Sequence, residues 1–124
     1  MSKLKQYKMF INGEWVDSES KKTFETLNPE NNEPWAVVPE ASAKDVNNAV
    51  NSAQKAFEGD WPKLLPKERA KFLRAIGEQL RENAEMLGEI ETIDTGKIIR
   101  ETKKQAIYIA DYYDYYAGLA DKVE

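Results

Sequence analysis

An Asn12-Gly13 turn between two β-prone runs, a change of hydrophobic period from two to 3.6 after Pro39, and four helical stripes beyond it predict a small, mostly helical α+β fold. A β-hairpin opens it. Hairpin and strands are expected over about 7–38 and helices over about 43–122 of one unit, 1–124.

Lys8-Met9-Phe10-Ile11 and Glu14-Trp15-Val16 flank the turn. Asn-Gly accepts the positive φ angles of a type I′ turn, so two-residue closure pairs Ile11 with Glu14 and Phe10 with Trp15. An aromatic cross-strand pair of this kind contributes roughly 0.2–1 kcal/mol. A lone hairpin is marginal in water and needs a surface to lie on. Asp17 to Lys22 reads as a polar connector, and Thr23-Phe24-Glu25-Thr26-Leu27 as a strand stopped by Asn28-Pro29. Glu30-Asn31-Asn32-Glu33 has turn chemistry. Trp35-Ala36-Val37-Val38 is a further strand, ended by Pro39.

Ser42 with Asp45 three residues on forms a capping box. Val46, Ala49, Val50, Ala53, Ala56 and Phe57 then follow as one helical stripe, with Gly59 placed to stop the helix. Asp60-Trp61-Pro62 makes a corner. Pro66 suits the first turn of the next helix, whose inner face carries Ala70, Leu73, Ile76, Gly77 and Leu80. Gly77 costs roughly 1 kcal/mol relative to Ala in a helix interior, which points to close approach of a neighbour. Asn83 is expected to cap a third helix, Ala84 to Ile93, broken by Asp94-Thr95-Gly96.

The last helix, from about Ile98, carries two apolar faces. Ile99, Ala106, Ile109, Ala110, Tyr113, Tyr116, Ala117 and Ala120 form one; Tyr108, Tyr112, Tyr115 and Leu119 form the other. A surface helix keeps one stripe dry and wets the rest. The wet arc here is narrowed to Arg100, Lys103, Lys104, Asp111 and Asp114. The second stripe therefore implies a partner: an oligomer interface, or further polypeptide. The absence of a Gly, Asn or Pro stop signal in Ala120-Asp121-Lys122-Val123-Glu124 favours the latter.

The bulk composition narrows function by exclusion. A domain of 124 residues, 41% apolar and 32% charged, is not of disordered composition. With 22 acids against 18 bases the net charge is −4, which argues against nucleic acid as a partner. Lys63, Lys67, Arg69, Lys71 and Arg74 are interrupted by Glu68 and read as a solvated helix face. No run approaches the ~20 apolar residues of a membrane span, and Met1-Ser2-Lys3-Leu4-Lys5-Gln6 lacks the apolar core of a secretory signal. Cytoplasmic location is the expectation. Cysteine and histidine are both absent, which excludes disulfides, the usual zinc ligand sets, a thiol nucleophile and an imidazole base within these residues. No Gly-x-Gly-x-x-Gly run exists either.

In order and spacing, Phe10-Ile11-Asn12-Gly13-Glu14-Trp15 and Phe24-Glu25-Thr26-Leu27-Asn28-Pro29 resemble the amino-terminal part of the NAD(P)-dependent aldehyde dehydrogenase superfamily. The likeness continues through Asp45-Val46-Asn47-Asn48-Ala49-Val50, Trp61, Glu68-Arg69, Glu91-Thr92-Ile93-Asp94-Thr95-Gly96-Lys97 and Tyr115-Tyr116-Ala117-Gly118-Leu119-Ala120-Asp121-Lys122. It covers nearly all of this sequence and about the first quarter of a usual member. Ile98 departs from the proline that many members place there.

The resemblance implies an α/β fold in the parent enzyme, of which this chain alone is a mostly helical α+β fragment. It implies oxidation of an aldehyde to a carboxylic acid with NAD or NADP, through a cysteine thiolate, hydride transfer to the nicotinamide, and a glutamate that activates water. Those motifs lie beyond Glu124, so the chain alone is expected to be inactive, to bind no cofactor, and to have no catalytic residue. Thr26, Leu27 and Asp94 match positions that give oxygen ligands to a structural monovalent cation in many members. The ordinary alternative is a strand residue and a helix-terminal turn former. Gln105 and Tyr108, and with less weight Asp111 and Tyr112, match the stretch that lines the family's substrate tunnel; packing is the ordinary alternative. Partners are then the remainder of the enzyme polypeptide or a second copy, with an aldehyde as substrate of the complete enzyme. The competing reading is a free-standing helical protein-interaction module that grips its partner through Tyr108, Tyr112, Tyr115 and Leu119.

Overall fold

The computed structural model describes residues 4–122. Met1-Ser2-Lys3, part of the stretch read above for a secretory signal, and Val123-Glu124, part of the stretch read for a helix stop, lie outside the described residues. Two compact units divide between Pro62 and Lys63.

The first unit holds five strands, β1 (Lys5–Gln6), β2 (Met9–Ile11), β3 (Glu14–Val16), β4 (Thr23–Asn28) and β5 (Glu33–Pro39), followed by α1 (Ala43–Glu58). β2 and β3 form the expected hairpin, with Phe10 opposite Trp15 and Ile11 opposite Glu14. Asn12 and Gly13 take φ of 55° and 80°, as the turn type requires. The two aromatic rings stand 5.0 Å apart. β5 is the middle of a three-stranded sheet, antiparallel to β4 and parallel to β1. β1 was not foreseen: two residues carry no period, and the Tyr7 amide reaches the Val37 carbonyl across thirty positions of sequence. β5 also begins earlier than expected, at Glu33, because Asn28 and Asn31 close the turn with their own side chains. Between Thr26 and Leu27 the β4–β5 register slips by one residue of β5, a bulge at Trp35.

The capping box at the start of α1 is present, and it does more than cap. The Ser42 amide donates to Asp45 Oδ2 at 2.8 Å, and the buried Ser18 hydroxyl donates to the same oxygen at 2.9 Å. The Glu19 amide adds a third donor. One carboxylate thus fastens the 17–22 connector to the helix start, and Ser18 is 1% exposed where the sequence reads as a plain polar link. The expected apolar stripe of α1 is correct as a stripe but is not buried here: Val46, Val50 and Phe57 are 53%, 60% and 68% exposed.

The second unit begins with a 3₁₀ turn, Trp61–Lys63 at its border, and packs α2 (Pro66–Glu82), α3 (Ala84–Thr95) and α4 (Ile99–Leu119). α4 lies against both of the others. Pro66 occupies the first turn of α2, and the Leu65 amide donates to Glu68 Oε2 at 2.8 Å. Asn83 stands at the N-cap position of α3, where its carbonyl accepts from the Leu87 amide at 2.9 Å, but its side chain makes no cap bond there. Its side-chain amide donates to the Gln79 carbonyl at 2.8 Å and closes the C-terminus of α2, because only one residue separates the two helices. Gly96, at φ 73°, ends α3.

The helices meet through small residues. A Cβ on Gly77 would stand 3.1 Å from the Ala110 carbonyl oxygen, the close approach expected from sequence. At Gly88 it would stand 2.6 Å from Lys103 Cγ and 2.8 Å from the Lys103 amide nitrogen. The fully buried Thr102 hydroxyl donates to the Gly88 carbonyl at 2.9 Å and accepts from Thr92 at 2.9 Å. Ala70, Ala84, Ala106, Ala110 and Ala117 fill the seams. The first stripe on α4 is therefore buried only at its small members: Ile99, Ile109 and Tyr116 face outward. The supposed wet arc also turns partly inward. Lys103 pairs with Glu85 and Glu89 of α3, and Arg81 of α2 pairs with Asp111 and Asp114.

Two expectations follow. The Ser42 amide above all, with the Ser42, Ser18 and Glu19 donors, lowers the Asp45 pKa to about 2 against the burial that raises it. A depressed carboxylate stabilises fully above its ordinary pKa and loses that contribution as pH falls toward the folded-state value. Circular dichroism during acid titration should therefore show Asp45→Asn less stable at neutral pH, with the gap to the parent closing between about pH 4 and about pH 2. Gly88→Ala should lower urea stability by roughly 1–3 kcal/mol through overpacking, whereas Gly118→Ala, with nothing within 4 Å, should gain up to about 1 kcal/mol.

Candidate functional site

Because α4 spends its small residues on α2 and α3, its large ones are left outside. Positions 108, 112 and 115 repeat at helical spacing, and 111 lies beside them, so their side chains share one face. Tyr108, Asp111, Tyr112 and Tyr115 line a groove of about 310 Å³. The Tyr108 and Tyr112 rings meet edge to face at 5.0 Å, and their hydroxyls are 2.8 Å apart. That hydroxyl contact raises the Tyr112 pKa above the ordinary phenol value, with Tyr108 charge repulsion adding to it. The Tyr112 phenol therefore stays neutral at physiological pH. Asp111 is the one carboxylate in the groove wall among the described residues, and its Oδ1 accepts from Arg81 at 2.7 Å. The same guanidinium reaches Asp114 Oδ2 at 2.5 Å, which fixes its direction. Arg81 is held charged by these two acceptors, its pKa raised by the Asp111 hydrogen bond first.

Of the residues singled out from sequence, Tyr108, Asp111 and Tyr112 come together in this groove. Gln105 is exposed one turn earlier and does not line it. Tyr115 joins the wall, while Leu119 is half-buried and falls outside it. The stripe of four is thus a groove of three tyrosines plus Asp111. The signal for Asp111 was present in its spacing, but its pairing with Arg81 crosses helices and has no local trace.

Thr26 and Leu27 lie on β4 beside the bulge, Thr26 half-buried. Asp94 lies in the last turn of α3, in the second unit. Among the described residues no group of three or more His, Cys, Asp or Glu side chains is placed to hold a metal ion. A second concavity of about 600 Å³ opens between α2 and α3, walled by Phe72, Ile76, Leu80, Met86 and Leu87. No described helix is long and apolar enough to cross a membrane.

The aldehyde dehydrogenase family profile matches residues 15–124. A dehydrogenase of Acinetobacter baylyi that acts on (Z)-2-((N-methylformamido)methylene)-5-hydroxybutyrolactone is 43% identical over 98% of this chain and 25% of its own length. Betaine aldehyde dehydrogenase of Bacillus subtilis is 41% identical over 92% of this chain and 24% of its own. Among solved structures, an NAD-dependent aldehyde dehydrogenase from Sinorhizobium meliloti superposes with a TM-score of 0.93 at 33% identity, covering 98% of this chain and 24% of that one. A betaine aldehyde dehydrogenase from Staphylococcus aureus, solved with NAD+, gives 0.89 at 38% identity over 94% and 24%. The chain spans about a quarter of the length of the relatives it matches.

Proposed function

This chain belongs to the aldehyde dehydrogenase family, and from that premise we propose that it supplies the amino-terminal quarter of an enzyme that oxidises an aldehyde to a carboxylic acid with NAD(P)+ in the cytoplasm. The observation that carries this reading is the match along nearly the whole chain to relatives four times its length. The chain contains no cysteine, so the thiolate that would attack the aldehyde belongs to the polypeptide those relatives carry beyond the matched quarter. The contribution of these 124 residues is binding surface and scaffold: α4 lines part of the substrate path through Tyr108 and Gln105. NAD(P) supplies the hydride acceptor when bound by the complete enzyme.

The open faces support the same reading over a free-standing interaction module. A module gripping through one tyrosine stripe needs no other cover. Here Val46, Val50 and Phe57 on α1, Phe10 and Trp15 on the hairpin, and the α2–α3 concavity are uncovered as well. That is more than one partner helix can bury, and it is the demand of a remaining polypeptide.

Thr26, Leu27 and Asp94 are part of this reading as oxygen donors to a structural monovalent cation. A hydroxyl or carbonyl pair with one carboxylate carries too little charge for a tight divalent site, and suits a hard ion of single charge.

Mixing the chain with a polypeptide supplying the remaining three-quarters of a relative should restore aldehyde-dependent NAD(P)H formation, followed at the nicotinamide absorbance. The chain alone should give none. Activity without the complement, or none with any complement that binds it, would overturn the proposal. In the same reconstituted enzyme, replacing sodium and potassium by a bulky organic cation at equal ionic strength should lower the melting temperature, and Asp94→Asn should remove that difference.

A further inference from the structure

We propose that a cavity in the first unit, walled by Tyr7, Lys8, Lys21, Lys22 and Thr23, binds a phosphate group. Its whole wall comes from residues 6–39, and no aldehyde chemistry enters it.

The cavity holds about 240 Å³ and opens where β1, the 17–22 connector, the start of β4 and the end of β5 converge. Three lysines stand in its wall against one carboxylate, Asp17, in a chain whose net charge is −4. Asp17 pairs with Lys8 at 3.6 Å, while Lys21 and Lys22 have no ion-pair partner among the described residues. Glu19, the other carboxylate of the connector, is tied to Lys44, and the Ser18 hydroxyl is spent on Asp45. Lys5 Nζ lies 4.7 Å from the Tyr7 ring centroid and adds a further positive charge.

The Tyr7 hydroxyl is buried and has no hydrogen-bond partner among the described residues, while its ring stands edge-on to Trp35 at 6.0 Å. A buried hydroxyl left unpaired costs free energy that a ligand oxygen would return. Lys21 carries a second cost. Its φ is 58°, a left-handed conformation that a long side chain adopts only under constraint. Glycine would sit there without strain, yet the position places an ammonium in the wall.

These groups select among anions. The ammoniums, the phenol and the Thr23 hydroxyl can all donate, so they match a ligand rich in acceptor oxygens. A carboxylate brings a single charge. A phosphate monoester brings three acceptor oxygens and a charge of about −1.5 to −2, against three ammoniums and one carboxylate in the wall. A nucleic acid strand is not matched, because one small cavity offers its backbone no track of cations.

Inorganic phosphate titrated into the full chain at constant ionic strength, with chloride as control, should shift the ring signals of isotope-labelled Tyr7 saturably and raise the melting temperature. Tyr7→Phe removes only the unpaired hydroxyl, and Lys21→Gly removes the ammonium together with the strained φ. Both variants should therefore melt no lower than the parent without phosphate, yet bind phosphate about tenfold more weakly. Asp17→Asn, which frees Lys8, should tighten binding. Cosedimentation with vesicles of phosphatidylcholine containing phosphatidic acid, and not with plain phosphatidylcholine, assigns the phosphate to a lipid headgroup; phosphate binding without cosedimentation assigns it to a soluble ligand. The absence of a saturable shift, the same shifts with chloride, or phosphate affinity unchanged in Tyr7→Phe and Lys21→Gly overturns the proposal. So does a Tyr7→Phe variant that melts lower without phosphate, since its hydroxyl would then already be satisfied.

Discussion

The second unit depends on how closely the backbone of α4 approaches its neighbours. At Gly88 the main chain and stem of Lys103 occupy the space a methyl group would need, and at Gly77 the Ala110 carbonyl does the same. Such spacing leaves alanine, glycine and threonine as the buried residues of this unit, and one buried threonine hydroxyl ties α3 to α4 at the point of contact. Each alanine removes little apolar area from water, so the seams fix geometry more than they supply hydrophobic free energy. The large side chains of the same helices are displaced to the outside. An outward face of tyrosines and an incompletely buried core are thus two results of one packing choice.

The reactive chemistry of an aldehyde dehydrogenase needs a thiolate, and this stretch has none. It offers a helix whose outward face carries Tyr108, Asp111, Tyr112 and Tyr115. The cross-helix ties of Arg81 to Asp111 and Asp114 hold that face against α2.

What the sequence made legible were features with local causes. The Asn12-Gly13 turn, the Ser42–Asp45 box, the stop at Gly96 and the tight neighbour at Gly77 each follow from a residue's own conformational needs. Periodicity also placed every helix. It could not say which apolar stripe would be covered, because that depends on the size of the residues at the crossing: α4 buries its alanines and exposes its isoleucines and tyrosines. Long-range ties left no trace either. The parallel pairing of Lys5 and Gln6 with Ala36 and Val37, the reach of Ser18 to Asp45, and the turn of Lys103 toward Glu85 all join positions far apart in sequence. Asn83 shows a subtler limit, since a residue between two helices can serve either end, and the shape of the one-residue junction decided for the earlier one.

The uncovered stripe on α1 has a consequence for synthesis. In a polypeptide four times this length, synthesised at about 5–20 residues per second, the residues beyond such a segment take roughly tens of seconds to emerge. Through that interval Val46, Val50 and Phe57 face the solvent, and nearby Lys44, Lys55 and Glu58 act as gatekeepers against premature clumping.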